Sequence, residues 1–305
     1  MNTYDVIIIG GGPGGLSAAF WCAEMGLKAI ILEREDVTGG QLLSTYGEIK
    51  NYLGVESLSG TELRNIFLRQ VESKDVVLRT GVEIETAYLV ERKVVLVGGE
   101  EIRGESVVIA TGVRRRKLNI PGEDEFRGKG ILESGVRDQN EVAGKRVVIV
   151  GGGDAALENA LILGAKAEKI FVVHRRDEFT ARKEFIEQAE ARENIEFVFS
   201  SHLAAIVGNE RVEGVGVRDT TTGATLHIPV DAVLVRIGVE PNTELFRGQI
   251  ATDKAGYICI NADCSTDLVD IFAVGDAANP LAPTINTATG QGATAAKIIA
   301  RNIIA

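Results

Sequence analysis

The chain has 305 residues, 45% of them hydrophobic and 25% charged, which is typical of a globular protein of about two domains. A formal net charge of −10 argues against a general surface for nucleic acid or an anionic membrane, so neither partner is expected. No apolar run reaches the roughly 18–20 residues of a membrane span, and a predicted strand follows Tyr4 at once, which leaves no room for a signal peptide. Three cysteines are too few for a disulfide framework, so a cytoplasmic location is expected.

A buried strand followed by glycines opens the chain. Residues 5–9 form an apolar run rich in β-branched side chains, as in a parallel strand covered on both faces. Gly10, Gly12 and Gly15 follow in G-x-G-x-x-G spacing. The first allows a tight turn, the second lets the backbone approach a pyrophosphate, and the third lets a helix pack closely on the strand. The spacing predicts a dinucleotide site, and the alternative is a glycine turn without a ligand.

The next elements complete this unit. A helix is predicted over 16–26, and its N-terminus would offer unpaired N–H groups to a pyrophosphate. A strand is predicted over 28–32, and Glu33 stands at its end. A carboxylate at this position can accept hydrogen bonds from ribose hydroxyls. Strand, glycines, helix, strand and acid in this order indicate a complete dinucleotide fingerprint.

The segment before the second fingerprint combines irregular loops with a small sheet. Its glycines allow the backbone to approach a flat ligand closely, and its alternating apolar runs are typical of short strands. The predicted elements are a loop at 38–41, an irregular segment at 51–54, a helix at 61–72, meander strands at 76–79, 82–89 and 94–96, and a buried strand over 106–112.

The fingerprint recurs in the middle of the chain. Residues 146–150 form an apolar strand that runs into Gly151, Gly153 and Ala156, in G-x-G-x-x-A spacing. A helix extending to residue 164 and a strand over 169–173 follow. The chain therefore carries two dinucleotide units.

The two units end in side chains of opposite charge. Where the first has Glu33, the second has His174, Arg175 and Arg176. A carboxylate repels a ribose 2′-phosphate, whereas two guanidinium groups can bind it. The first site is therefore predicted to hold FAD and the second NADPH. The alternative for the three basic residues is a solvated charge cluster.

The remainder of the chain is predicted to supply further strands and a closing helix. Asp276 lies at the end of the last strong apolar run, where a carboxylate could bind a ligand hydroxyl. The predicted elements are a helix at 179–192, strands at 195–199, 213–218, 225–228, 232–238, 257–260 and 271–277, a linker at 241–243, and a helix at 286–302.

With these motifs the chain resembles the low-molecular-weight thioredoxin reductases over nearly its whole length. The resemblance implies an α/β fold of two Rossmann-like, three-layer ββα dinucleotide-binding domains, the second inserted into the first. An FAD-binding domain would comprise 1–112 and 247–305, and an NADPH-binding domain 113–246. It also implies a homodimer, a rotation of one domain against the other during turnover, and no metal.

The candidate cofactor-binding residues follow from the motifs and the resemblance together. For FAD they are Gly10, Gly12, Pro13, Gly14, Gly15, Glu33, Gly40, Gln41, Asn51, Ala110, Thr111, Gly112, Gly275, Asp276, Thr284 and Ile285. For NADPH they are Gly151, Gly153, Asp154, Ala155, Ala156, His174, Arg175, Arg176, Ile237 and Gly238.

The chain departs from that family at the redox centre. The family's Cys-x-x-Cys corresponds without gaps to residues 134–137, where Ser134 and Arg137 stand in place of the cysteines and are followed by Asp138. A hydroxyl cannot replace a thiolate in disulfide exchange. Arg137 could orient an anionic acceptor and Asp138 could shuttle a proton; alternatively, both are surface residues left from a lost dithiol site. Cys22, Cys259 and Cys264 are interpreted as packing residues, with a redox pair of the last two as the alternative.

The leading hypothesis is an NADPH-dependent FAD oxidoreductase that passes electrons to a non-dithiol acceptor. Ferredoxin is the best-motivated acceptor, because thioredoxin-reductase-like ferredoxin–NADP reductases share this layout; a quinone, a small molecule or O₂ are the others. Residues 114–117 are a candidate basic patch for an acidic partner, or a solvated linker. The alternatives are a thioredoxin or other disulfide reductase that uses thiols outside the usual position, and a non-enzymatic NADPH or flavin sensor.

Overall fold

The computed structural model describes residues 2–304. The strands are β1 (Asn2–Ile9), β2 (Ala29–Leu32), β3 (Val76–Arg79), β4 (Ile84–Tyr88), β5 (Lys93–Leu96), β6 (Glu101–Ile109), β7 (Val113–Arg115), β8 (Ile131–Leu132), β9 (Arg146–Val150), β10 (Lys169–Val173), β11 (Ile195–Val198), β12 (Ser201–Gly208), β13 (Val212–Asp219), β14 (Thr225–Pro229), β15 (Ala232–Val235), β16 (Val239–Pro241) and β17 (Ile271–Ala273). The helices are α1 (Pro13–Glu24), α2 (Gly60–Glu72), α3 (Gly135–Asp138), α4 (Asp154–Gly164), α5 (Lys183–Glu190) and α6 (Ile285–Ile304), with 3-10 turns at Gly40–Ser44, Glu244–Phe246 and Gly275–Ala277.

Within residues 2–304, none of the helices has both the length and the apolar character that crossing a membrane requires.

The chain divides into two compact units. Unit 1 comprises Met1–Arg114 and Glu240–Ala305, and unit 2 comprises Arg115–Val239. The strands at the two boundaries, β7 and β16, pair with each other.

Unit 1 is built on a parallel sheet in the order β3-β2-β1-β6, with β17 on the far side of β6. On the side away from β1, strand β6 has two successive partners. Its first residues, near Glu101, pair antiparallel with β5, whereas its last residues, near Ile109, pair with β17. Strands β4 and β5 continue from β6 as an antiparallel layer.

The alternation of side chains along β1 separates the layers of unit 1, because successive strand residues point to opposite faces. Val6 and Ile8 pack in one core cluster with Leu16 of α1 and residues of α6. Ile7 and Ile9 pack in a second cluster with residues of β4 and β5. Both faces of β1 are buried over residues 6–9, which explains the continuous apolar run there.

Unit 2 repeats this plan. Its sheet has the order β11-β10-β9-β15-β8, and every pair in it is parallel. Val147 and Ile149 of β9 pack with residues of α4 in one cluster, whereas Val148 and Val150 pack with the antiparallel sheet β12-β13-β14 in another. This fold confirms the predicted α/β class with two Rossmann-like units.

The sequence prediction for the strand at 76–79 is wrong in its partner. This strand, β3, is the parallel edge strand beside β2 rather than a member of the meander, which consists of β4, β5 and the start of β6. The segment predicted as a strand at 257–260 forms one isolated bridge, between Thr252 and Ile258. Strand β12 is absent from the sequence prediction.

Several predicted elements are shorter in the structure. The helix predicted over 179–192 begins only at Lys183, because the ring of Phe179 packs against Phe197 and Phe199 at centroid distances of 4.9 and 4.7 Å. The strands predicted over 232–238 and 271–277 end at Val235 and Ala273, where irregular turns begin.

A close contact between α1 and α6 gives the first testable prediction. A Cβ atom on Gly292 would lie 2.4 Å from the Gly14 carbonyl oxygen and 2.8 Å from the Ala18 nitrogen. Because these are backbone atoms, Gly292→Ala should destabilise unit 1 by about 2 kcal/mol or more. A lower denaturant midpoint of the holoprotein would report this effect.

Gly290 is the matched control on the same helix. A Cβ atom there meets nothing within 4 Å, so Gly290→Ala should be neutral or stabilising by about 0.5–1 kcal/mol. Equal midpoints for the two variants would contradict the tight contact.

Candidate active site

The first glycine loop connects β1 to α1 by contacts that leave no space for side chains. Gly10 has φ +107°, and a Cβ atom on it would lie 2.4 Å from the Ala110 carbonyl oxygen. A Cβ atom on Gly15 would lie 2.0 Å from the carbonyl oxygen of Gly10. Gly12, by contrast, faces open space, with the Gly40 Cα atom 4.0 Å from a built Cβ. The loop therefore leaves exposed backbone at the N-terminus of α1, where a pyrophosphate can bind.

Glu33 fixes this loop from the end of β2. Its Oε2 accepts a hydrogen bond from the Gly11 amide at 2.7 Å, and its Oε1 accepts one from the Glu35 amide at 2.9 Å. The nearby Thr38 side chain is 1% exposed, and its Oγ1 has no hydrogen-bond partner among residues 2–304. A glycine cradle with a fixed carboxylate and an orphaned buried hydroxyl fits the adenosine end of a dinucleotide.

The structure brings two distant segments to the same loop. A Cβ atom on Gly14 would lie 3.2 Å from Val274 Cγ2 and 3.4 Å from the Ala288 carbonyl oxygen. The Gly275 amide donates to Gln291 Oε1 at 2.8 Å. The neighbouring Asp276 is partly buried, and this burial raises the pKa of its carboxyl group. Gln291 was missed by sequence analysis, because its role depends on the turn of α6 that faces residue 275.

Other predicted residues of unit 1 are positioned by hydrogen bonds between side chains and backbone atoms. Gln41 Nε2 donates to the Val113 carbonyl at 2.8 Å. Thr111 and Asn242 form a reciprocal pair, in which the Thr111 hydroxyl donates at 2.7 Å and the Asn242 amide donates at 2.8 Å. Asn286 Nδ2 donates to the Asn51 carbonyl at 3.3 Å, which places the irregular segment at 51–54 beside the start of α6. Thr284 Oγ1 accepts from the Thr287 amide at 3.1 Å in the first turn of that helix, beside Ile285.

The second glycine loop, between β9 and α4, has the same steric basis with different neighbours. Gly151 has φ +147°, and a Cβ atom on it would lie 2.2 Å from the Arg236 carbonyl oxygen. A Cβ atom on Gly152 would lie 2.3 Å from Nδ1 of His174. The imidazole therefore packs directly on the loop and requires a glycine there.

The basic residues after β10 differ in their exposure. His174 is 8% exposed, and its Nε2 has no hydrogen-bond partner in the described chain. Burial, with Arg176 and Arg175 nearby, lowers the pKa of His174, so the ring is neutral at physiological pH. Arg175 and Arg176 are exposed, and neither makes an ion pair with any residue in the range 2–304. These two guanidinium groups are available to a phosphate, and the orphaned imidazole nitrogen has the chemistry of a nucleotide contact.

An ion pair missed by sequence analysis connects the glycine loop to the segment after Arg176. The carboxylate of Asp154, the first residue of α4, accepts from the backbone amide and from Nε of Arg182, both at 2.7 Å. The Thr180 amide donates to the Gly152 carbonyl at 2.8 Å. The pairing of residues 28 positions apart depends on tertiary structure, so no sequence pattern indicated it.

The residues at the missing dithiol form a turn organised by Asp138. This carboxylate is 3% exposed, and its Oδ2 accepts from the amides of Glu133 at 2.6 Å and Ser134 at 2.9 Å. Arg137 Nε lies 3.2 Å from its Oδ1. The suggestion that Asp138 is a surface residue is therefore wrong, whereas Arg137 is exposed. The carboxylate stabilises the turn through its amides, and its proton-shuttle role stays a prediction.

The three cysteines have unequal environments. Cys22 and Cys264 are buried in the same core cluster, and burial is the main cause that raises their pKa values to about 12 and about 11. Cys259 is exposed. Since the thiolate is the reactive form, the two buried thiols are unreactive at neutral pH.

The basic stretch at 114–117 is occupied by internal partners. Arg114 pairs with Glu240 at 2.8 Å and with Glu244, and Lys117 pairs with Asp124 at 2.8 Å. The two ends of the exposed stretch are therefore ion-paired within the chain, whereas Arg115 and Arg116 donate to the backbone carbonyls of Glu133 and Val239. Within the part of the chain that the structure describes, no group of three metal-ligating side chains occurs.

The chain has two glycine loops at the ends of parallel strands. A carboxylate follows the second strand of one unit, and guanidinium groups follow that of the other. This arrangement defines an oxidoreductase that binds two dinucleotides.

Residues 4–292 match the family described as pyridine nucleotide-disulphide oxidoreductase. The chain is 36% identical to thioredoxin reductase of Mycolicibacterium smegmatis, over 96% of this chain and 94% of the relative, and 35% identical to that of Listeria monocytogenes, over 96% and 91%. The crystal structure of Lactococcus lactis thioredoxin reductase matches with a TM-score of 0.84 and 32% identity, over 99% of both chains.

The chain therefore belongs to the pyridine nucleotide-disulphide oxidoreductase family and is thioredoxin reductase-like. It is an NADPH-dependent flavoprotein oxidoreductase that uses FAD and NADPH, as the sequence predicts.

Thiol counting tests the cysteine environments. At about pH 8 one thiol per chain, that of Cys259, should react rapidly with a chromogenic disulfide in the oxidised holoprotein, because the buried thiols stay protonated and shielded. All three should react after denaturation. Cys259→Ser should abolish the rapid phase, and pre-reduction by NADPH should not add a thiol. A second rapid thiol would contradict the burial of Cys22 and Cys264.

Proposed function

We propose that this enzyme passes electrons from NADPH through FAD to an acceptor that is not reduced by a dithiol of this chain. The observation that carries the proposal is the redox position itself, where Ser134 and Arg137 stand and where no cysteine occurs between Cys22 and Cys259. Disulfide exchange needs a thiolate to attack and a second thiol to resolve the mixed disulfide. Cys22 and Cys264, with raised pKa values, are unsuited to either step.

In this proposal FAD binds to unit 1. The backbone at Gly12 and the N-terminus of α1 receive the pyrophosphate, and Glu33 together with Thr38 faces the adenosine ribose. The raised pKa of Asp276 suits a carboxyl group that hydrogen-bonds a ribitol hydroxyl. The bound FAD supplies a centre that accepts two electrons and releases them singly or in pairs.

NADPH binds to unit 2 in the same proposal. Arg175 and Arg176 bind the ribose 2′-phosphate, because their guanidinium groups are exposed and have no carboxylate partner in residues 2–304. Neutral His174 lies between them and the glycine loop and offers Nε2 to the adenosine moiety. The further assignments, including the domain boundaries, a homodimer and a cytoplasmic location, rest on the family resemblance.

Disulfide reduction is the second candidate function, and the names of the relatives favour it over a non-dithiol acceptor. In this chain it would require thiols outside the usual position, supplied by the acceptor or by Cys259, the exposed cysteine. A quinone, a small molecule, ferredoxin and O₂ are the acceptors under the first candidate. Because Arg114 and Lys117 are ion-paired internally, these two residues give no support to ferredoxin binding at the stretch 114–117.

Coenzyme preference tests the second site. The double variant Arg175→Ala and Arg176→Ala should raise the KM for NADPH by about tenfold to a hundredfold and leave that for NADH nearly unchanged, because charge-assisted hydrogen bonds to the 2′-phosphate are lost. Arg192→Ala, which removes an exposed guanidinium elsewhere in unit 2, is the control. An unchanged NADPH preference in the double variant would mean that the 2′-phosphate binds elsewhere.

An acceptor comparison separates the two candidate functions. The NADPH-reduced protein, prepared anaerobically, should lose its yellow colour and regain it with a quinone at the same rate in Cys259→Ser as in the unmodified chain. A thioredoxin disulfide should not reoxidise it. Reoxidation by thioredoxin that is lost in Cys259→Ser would establish disulfide reduction through that thiol. Reoxidation by thioredoxin in both proteins would establish direct reduction with the acceptor's own thiols. NADPH binding without loss of colour would contradict both candidates.

A further inference from the structure

Two guanidinium groups of unit 2 converge beside the position of the missing dithiol. Arg236 follows β15, and its Nη2 donates to the Glu133 carbonyl at 2.8 Å. Nη1 of Arg115 donates to the same carbonyl. Glu133 immediately precedes Ser134, so both side chains are fixed next to the redox position.

In the part of the chain that the structure describes, the guanidinium of Arg236 has no carboxylate partner to compensate its charge. The carboxylate of Glu133 lies 4.0 Å from Arg115, and that of Asp138 is occupied by two backbone amides and Arg137. Arg236 donates to two carbonyl oxygens, those of Val235 and Glu133, and no carboxylate in residues 2–304 lies within ion-pair distance of it.

Arg236 remains a cation despite its partial burial. Burial, reinforced by Arg115, lowers its pKa to about 10, with Glu133 and Asp138 opposing the shift. The group is therefore charged at neutral pH, yet it is partly removed from water without a carboxylate partner. Such an arrangement costs stability in the free protein and becomes favourable when an anion binds.

Arg236 lies beside the predicted coenzyme site of unit 2. Its carbonyl oxygen is the atom that excludes a side chain at Gly151, so it lies beside the second glycine loop at the carboxyl end of the parallel sheet. Ligands of open α/β sheets bind at this end. The coenzyme's pyrophosphate is already provided for by the N-terminus of α4, and its 2′-phosphate by Arg175 and Arg176. Arg236 and Arg115 are left for a different anionic group.

We propose that Arg236 and Arg115 bind an anionic group of the electron acceptor, so that the acceptor class is a small oxidant carrying a carboxylate, sulfonate or phosphate. This inference rests on the proposed function, since it assumes an acceptor that is not reduced by a dithiol of this chain. Arg236 is the principal contact, and Arg115 is the second donor across the Glu133 carbonyl.

The test compares two quinones that differ by one charge. The probes are 1,4-naphthoquinone-2-sulfonate and neutral 1,4-naphthoquinone, used with holoenzyme carrying Cys259→Ser so that the exposed thiol cannot add to either quinone. Arg236→Gln should raise the KM for the sulfonate by about tenfold and leave the KM for the neutral quinone and for NADPH within about twofold. The matched control is Arg127→Gln, which removes an exposed guanidinium of unit 2 that pairs with Asp124.

A binding measurement gives a readout that is independent of turnover. Naphthalene-2-sulfonate, which is redox-inert, should bind oxidised holoenzyme in the presence of saturating NADP⁺. Its Kd should rise by about tenfold in Arg236→Gln and in Arg115→Gln. Raising the ionic strength from about 0.05 M to about 0.3 M should weaken binding to the unmodified chain more than to Arg236→Gln.

The outcomes separate this inference from the proposed function. If NADPH does not bleach the protein, or if neither quinone reoxidises it, the proposed function fails. If the enzyme reduces the neutral quinone but Arg236→Gln leaves the KM for the sulfonate unchanged, the anion site is overturned while the proposed function stands. If Arg236→Gln instead raises the KM for NADPH, or if NADP⁺ displaces naphthalene-2-sulfonate, the guanidinium binds the coenzyme and the inference is overturned.

Discussion

The close approach of a helix to the end of a parallel strand is the constraint on which both halves of this enzyme depend. In unit 1 it is the contact between Gly15 and the Gly10 carbonyl, where a built Cβ would lie 2.0 Å from the oxygen. In unit 2 it is the contact between Gly151, which follows β9, and Ala156 of α4, whose Cβ would lie 3.1 Å from a Cβ built on Gly151. Because each contact brings the start of a helix close to the end of a strand, the helix can direct its unpaired amides towards a phosphate. Everything that distinguishes the two sites is added around this shared geometry.

The distinguishing side chains follow from where each second strand ends. Strand β2 ends before Glu33. The Glu33 carboxylate accepts hydrogen bonds from the amides of Gly11 and Glu35 and is thereby fixed to the loop. Strand β10 ends before His174, which packs on Gly152 as a neutral ring and leaves Arg175 and Arg176 in solvent. An internal carboxylate excludes a second phosphate, and exposed guanidinium groups attract one. This difference in charge between the two loops is the basis for assigning FAD to unit 1 and NADPH to unit 2 in the proposed function.

Sequence analysis predicted the elements whose signals are local. Strand β9, helix α4 and strand β10 lie where the apolar runs and glycine spacing place them. The partner of β3 could not be predicted, because four half-buried residues pair equally well at a parallel edge or in a meander. The first four residues of the helix predicted over 179–192 are not helical, because the ring of Phe179 packs against the rings of Phe197 and Phe199.

The candidate sites show the same division between local and tertiary signals. The glycines, Glu33 and the basic residues after β10 have fixed spacings along the chain, so the sequence alone was enough to predict them. Arg182 and Gln291 were missed, because each contacts a carboxylate or backbone group that only the fold brings near. Thr38 was missed, because the burial of its unpartnered hydroxyl also depends on the fold. Arg236 was missed for the same reason, since its side chain reaches a carbonyl 103 positions away.

The turn at Ser134 is held in shape by a carboxylate rather than by a disulfide. Asp138 holds the amides of Glu133 and Ser134, so the turn keeps a defined shape without cysteines. A site that had merely lost its dithiol would have no use for a partly buried guanidinium without a carboxylate partner, because such a group costs stability in the free protein. Arg236 is such a group, and it lies between Ser134 and the nucleotide loop. The cost is offset when an anion binds there, and this is the physical reason for proposing an acceptor that carries an anionic group.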